Sequence, residues 1–218
     1  MKPNRSNPLY HRAFATGFAS FIVLSGFSSA AELIKANNPN DLNLTSSWVG
    51  GVVPTAADVA VWDNTVTGAM NAGLGADTSW QGLKILNPTG LVSIGVGTNA
   101  LTLGASGINM ATATQNLVLA TGTLNLNTNQ TWSLPAGREI RLAGAGAGAA
   151  SSNVDGTGVI TVQGGGLVDM NQGTAAGTGL AGFSGKWIVE SGTTLRGTGA
   201  GGFAWGTSTA ADTITLKG

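Results

Sequence analysis

The sequence predicts an all-β chain: a right-handed parallel β-helix, or β-solenoid, behind an N-terminal signal peptide, with an antiparallel β-sandwich as the alternative. Three observations carry this. Short apolar-x-apolar pairs recur, each the period-2 signature of a strand with one buried face. From Leu83 they run Leu83/Ile85, Val92/Ile94, Leu101/Leu103, Ile108/Met110, Leu117/Leu119, Leu124/Leu126, Trp132/Leu134 and Ile140/Leu142. The pairs follow one another too closely for the crossover helices of a βαβ fold. The segments between them are rich in Gly, Asn and Thr, which take positive φ or bond locally to the backbone. Of the strong Asn-Gly and Asp-Gly hairpin dipeptides only Asp155-Gly156 occurs. The inward positions resemble one another from pair to pair, which favours columns stacked coil on coil over a sandwich.

Taken in order, Lys2, Arg5 and Arg12 precede an uncharged, mostly apolar run, Ala13 to Phe27, and then Ser28-Ser29-Ala30-Ala31. A basic start, a short apolar core and small residues before a cut form a secretory signal peptide, with cleavage expected after Ala30 or Ala31. No later stretch approaches the ~18 apolar residues of a membrane-spanning helix. Residues 32–47 are polar and read as an entry or cap segment. Residues 48–218 read as the solenoid, which further pairs extend: Val59/Val61, Ile160/Val162, Trp187/Val189 and Ile214/Leu216. The rhythm breaks over residues 143–157, where an Ala-Gly run and Asp155-Gly156 predict a protruding loop. The strand pattern is still running at Ile214-Thr215-Leu216, so the expectation is a truncated solenoid with a downstream domain.

Composition narrows the function classes. Only 9% of residues are charged, against about 25% in an average soluble protein. Cys is absent, and the single His, His11, lies in the leader. Those absences remove disulfide scaffolds, thiol nucleophiles, His-assisted serine catalysis and His- or Cys-based metal sites from the mature chain. Without Lys2, Arg5 and Arg12 the mature chain has seven basic and ten acidic residues, which gives no reason to expect nucleic acid as a partner. The glycine patterns beginning at Gly177 and Gly197 match a dinucleotide fingerprint but precede no predicted helix, so no cofactor is expected.

Two segments carry a resemblance. Ser47-Trp48-Val49-Gly50-Gly51-Val52-Val53-Pro54 leads to Ala57-Asp58-Val59-Ala60-Val61-Trp62-Asp63, and later comes Phe183-Ser184-Gly185-Lys186-Trp187-Ile188-Val189-Glu190-Ser191-Gly192-Thr193-Thr194-Leu195. Together they resemble the autotransporter-associated β-strand repeat proteins. The resemblance implies a secreted or surface-exposed β-helical region of a large bacterial protein. It departs from the pattern in having one clear repeat unit, and nothing in residues 1–218 alternates over the ~10-residue strands of a membrane barrel.

The remaining chemistry is oxygen- and ring-based. Asp155 and Asp169, with Arg138 and Arg141, are the carboxylate and cation candidates for a polysaccharide lyase or glycoside hydrolase, whose paired carboxyls stand roughly 5–10 Å apart. Asp58, Asp63, Asp155 and Asp169 are calcium ligands in principle, but no calcium loop motif accompanies them. Of the six Trp, Trp48 and Trp62 are expected to close the N-terminal end, and Trp132 and Trp187 to point inward. Trp80 and Trp205 remain as exposed platforms for a sugar. The reading is therefore a non-enzymatic, secreted or surface-displayed, structural or adhesin-type solenoid. Extracellular glycans are its expected partners, with no metal, cofactor or nucleic acid. The alternative is a carbohydrate-binding or polysaccharide-degrading module on the same scaffold.

Overall fold

The computed structural model describes residue 1 and residues 29–95, 97–142, 153–171, 182–198 and 214–218. Among the described residues seventeen strands follow in chain order: β1 (Glu32–Ile34), β2 (Val59–Trp62), β3 (Met70–Ala72), β4 (Thr78–Ile85), β5 (Val92–Ile94), β6 (Ala100–Asn109), β7 (Leu117–Leu119), β8 (Thr123–Asn125), β9 (Gln130–Ser133) and β10 (Glu139–Leu142). Then come β11 (Asn153–Gly156), β12 (Val159–Gln163), β13 (Leu167–Asn171), β14 (Gly182–Phe183), β15 (Lys186–Val189), β16 (Thr194–Thr198) and β17 (Ile214–Leu216). Every pairing between these strands is parallel. The fold is a β-solenoid, and the antiparallel sandwich is overturned.

The pairing pattern resolves three faces. The first carries β1, β2, the second halves of β4 and β6, then β9, β12, β15 and β17. The second is the six-stranded sheet β3-β5-β7-β10-β13-β16. The third carries the first halves of β4 and β6, then β8, β11 and β14. β4 and β6 are long because each turns a corner, and their register shifts between Trp80 and Gly82. With three strands to each coil, the close succession of apolar pairs along the sequence is explained. The register partners Val59↔Gly82, Gly82↔Gly107 and Ile108↔Trp132 mark single coils of nearly equal length. Trp132↔Val162 and Val162↔Val189 mark longer ones. The added length lies between β10 and β11 and between β13 and β14, and the Ala-Gly run expected as a loop is outside the described residues.

Inward side chains stack in columns. Ala60, Leu83, Ile108, Trp132, Val162 and Val189 are successive partners on the first face, and Val92, Leu117, Ile140 and Val168 on the second. All are buried, and full burial of such side chains is worth about 1.5–3 kcal/mol each. The expected inward leucines 101, 103, 117, 119, 124 and 126 are at most 1% exposed. Gln130 is the polar intruder: its Oε1 accepts Trp132 Nε1 at 2.9 Å and its Nε2 donates to the Leu103 carbonyl at 3.3 Å.

Several expectations are corrected. On β2 the inward residues are Ala60 and Trp62, not Val59 and Val61, because the column partners of Ala60 and Trp62 are Leu83 and Ile85. All four residues are apolar, so alternation could not fix the parity. Asn153–Gly156 is a strand, not a loop, pairing with β8 and β14. Gly156 has φ +122°, and a Cβ there would strike the Leu126 carbonyl oxygen, so the dipeptide serves a bent strand rather than a hairpin. Leu216 keeps register with Val189 but is 76% exposed. Residues 32–47 contribute β1, and Lys35, Leu42 and Ser47 within them are fully buried.

The N-terminal end of the stack is sealed by the chain itself. Lys35 and Trp48 form an antiparallel bridge, Ala36 N donates to Ser47 O at 2.9 Å, and Val49 N donates to Ile34 O at 2.8 Å. Behind this strap Trp48, Trp62 and Trp80 pack with ring centroids 5.7–6.0 Å apart. Edge-on aromatic pairs are worth about 0.5–1.5 kcal/mol beyond their buried area. Trp48 Nε1 donates to Leu42 O at 2.9 Å, whereas the indole N–H groups of Trp62, Trp80 and Trp187 are buried without an acceptor among the described residues.

The Lys35 ammonium ties the same end. It donates to Ala36 O at 2.9 Å and to Asn38 O at 2.7 Å and Oδ1 at 3.1 Å. All three acceptors are neutral. Burial lowers its pKa from 10.5 to about 8. The folded chain therefore holds this proton less tightly than the unfolded chain. The destabilisation is complete below pH 8 and is relieved as pH rises from about 8 to 10.5, by up to about 3 kcal/mol. Urea unfolding from pH 7 to 10.5 should show stability rising across that window, and Lys35→Met should flatten the rise. An equal slope in both proteins would contradict the assignment.

Candidate functional site

The site arises at the corner between the first and second faces. Glu139, Leu167 and Thr194 are register partners on β10, β13 and β16, so Gly137, Gly165 and Gly192, each two positions earlier, occupy the same corner position in three successive coils. All three are left-handed, with φ of 78°, 88° and 76°, a conformation that glycine takes without steric cost. The corner thus carries no side chains at that position, and a groove of about 440 Å³ lies beside it. Asn116, Arg138, Glu139, Leu167, Thr194 and Arg196 supply its side chains.

Just beyond, Arg141, Asp169 and Arg196 form one outward column, again by register. Arg196 Nη2 donates to Asp169 Oδ2 at 2.7 Å, and Arg141 Nε lies 3.9 Å from the same oxygen. Arg141 also binds Glu139, with Nη2 3.0 Å from Oε1. The Asp169 side chain is 4% exposed although it faces outward, while those of Arg141 and Arg196 are 43% and 48% exposed. The hydrogen bond to Asp169 holds the Arg196 guanidinium above its ordinary pKa. Arg138 stands apart from this network: its Nη1 donates to the Thr114 carbonyl of the preceding coil at 2.8 Å. None of the ion pairs among the described residues includes it.

The expected site residues are partly reunited. Asp169, Arg138 and Arg141 lie on one corner and face. Asp155 does not join them: it sits on β11 of the third face, where its Oδ1 accepts Gly156 N at 2.6 Å and it pairs in register with Gly182. Asp58 and Asp63 cap turns, accepting Thr55 N and Thr65 N, each at 2.9 Å. Among the described residues no three acidic or His side chains cluster to hold a metal. Trp80 is 1% exposed, packed on Trp48 and Trp62. The expectation of an exposed platform there is corrected, because the bend in β4 turns this ring into the end of the core. Trp205, and most of both glycine fingerprints, lie outside the described residues. Glu139 and Arg196 went unnoticed in the sequence. For Arg196 the signal was coil spacing, since Arg141, Asp169 and Arg196 follow one another at intervals of a single coil.

Comparison with protein-family models, with curated proteins and with solved structures finds no match. The resemblance to autotransporter-associated repeats thus rests on the motif residues alone. Among the described residues no helix is long and apolar enough to cross a membrane.

The Asp169 carboxylate should matter more than either arginine. Asp169→Asn leaves two guanidinium groups facing an amide and should cost about 1–2 kcal/mol. Arg141→Gln, at a partly exposed and longer contact, should cost under about 1 kcal/mol. Urea unfolding of the two variants checks this order, and the reverse order would contradict the network.

Proposed function

We propose that this chain is an exported, non-enzymatic structural solenoid that displays its outer surface outside the cell, in the manner of an adhesin stalk. The observation that carries this reading is the unbroken parallel ladder of the first face, from Glu32 through eight strands to Leu216. Such a ladder makes a rod that repeats at about 4.8 Å per coil. Its outward positions hold Lys84, Asn109 and Ser133 in one column, a polar surface at fixed pitch. The basic and apolar leader and the resemblance to surface-exposed repeat proteins support export. The alternative of a hydrolase or lyase has less support, since its two candidate carboxylates occupy different faces.

The structure also bears on where the leader is removed. Val59 N donates to Ala31 O at 2.7 Å, a hydrogen bond that continues the ladder below β1. Cleavage after Ala30 keeps it, and cleavage after Ala31 discards it. Expressed in a bacterial host, the full chain should leave the cytoplasm, and N-terminal sequencing of the exported form should begin at Ala31. Exported protein still beginning at Met1, or protein retained wholly in the cytoplasm, would overturn the reading.

A further inference from the structure

We propose that the groove beside Gly137 and Gly165 is a binding site for an acidic polysaccharide, a glycan whose sugars carry carboxylates. This inference concerns the folded surface and does not depend on export.

The residues lining the groove select that ligand class. Arg138 spends one N–H on Thr114 O and has no carboxylate partner among the described residues, so the rest of its fork is available. A guanidinium fork matches a carboxylate with two parallel bonds. Arg196 stands across the groove, half exposed, with one nitrogen on Asp169. Glu139 lies between them, its charge offset by Arg141 at 3.0 Å. Glu139 can accept from sugar hydroxyls, donors that a simple inorganic anion or a deoxyribose-phosphate chain lacks along its length. Asn116, whose Oδ1 accepts Glu139 N at 3.1 Å, and Thr194 add polar groups at either end. Leu167, half-buried between Glu139 and Thr194 in register, offers an apolar contact to a ring's C–H face. Finally, Gly137 and Gly165 line the groove and keep it open over their two coils. The coil pitch of about 4.8 Å is close to the rise of one sugar in an extended chain, so a chain lying along the groove would set about one sugar beside each coil.

Calorimetric titration of the whole chain with tetramannuronate, with the neutral mannotetraose and with a single-stranded oligothymidylate tests this. Saturable binding of tetramannuronate is expected, at least tenfold tighter than mannotetraose or the oligonucleotide. Arg138→Gln removes the guanidinium fork and should weaken tetramannuronate at least tenfold while the chain keeps a cooperative melting transition. Arg138→Lys should weaken it less, and Lys186→Met, on the first face, should leave it unchanged. The proposal is overturned by absence of saturable tetramannuronate binding, by equal binding of the neutral sugar, by tighter binding of the oligonucleotide, or by Arg138→Gln binding like the parent. Equal losses in Arg138→Gln and Lys186→Met would also overturn it, because they would reveal general charge attraction rather than a site.

Discussion

Everything in this fold depends on one constraint: after each coil the chain must return its inward side chains to the columns left by the coil before. A short strand such as β5 or β7 buries almost nothing by itself. Val92 and Ile94 become core only because Leu117 and Leu119 lie directly above them in register. The same return aligns the backbone ladder. A slip by one residue would turn each inward aliphatic outward. Coil length, by contrast, is free to vary: the short coil from Val59 to Gly82 and the long one from Trp132 to Val162 share the same face and columns. Extra residues at one corner are tolerated because loop closure costs grow only slowly with length.

That constraint explains what the sequence revealed. The apolar pairs between Leu83 and Leu142 are legible because most are set off by polar or small neighbours, and all eight are buried as pairs. At β2 the run Val59-Ala60-Val61-Trp62 has no polar member, so parity was decided by which residues meet Leu83 and Ile85. Trp80 was misplaced because it lies just before Leu83, where β4 turns a corner and the alternation resets between Trp80 and Gly82. Asp155-Gly156 carried a hairpin signal, but stacking on Leu126 won. The ionic column was hidden for another reason. Arg141, Asp169 and Arg196 are remote in sequence, and only the full coil, of which the apolar rhythm marks a single strand, brings them together.

The two kinds of outward surface follow from the same geometry. Outward positions repeat at coil spacing, so any side chain there meets its counterparts from adjacent coils. Like charges in such a column repel, and the second face alternates them: Arg141, Asp169, Arg196. At the corner the repeated residue is glycine, and repetition there produces an open trough instead of a ladder of side chains. The N-terminal end is treated differently. Residues 47–49 pair with residues 34–36 at the end of β1, and three tryptophans fill the space beneath, so the edge of the first face is covered there. That closure buries the Lys35 ammonium among neutral oxygens.

The central claim, parallel coils in this register, is tested most directly by a disulfide. The chain has no cysteine, so an introduced pair has no competitor. Ser93 and Val118 are outward Cα partners one coil apart on β5 and β7, within the ~4.4–6.8 Å that a disulfide spans. Ser93 and Arg141 are two coils apart, which at about 4.8 Å per coil is beyond that reach. Under mild oxidation the Ser93→Cys, Val118→Cys variant should form an intramolecular disulfide without loss of thermal stability, and the Ser93→Cys, Arg141→Cys variant should not. Cross-linking in the second variant but not the first would contradict the stacked register.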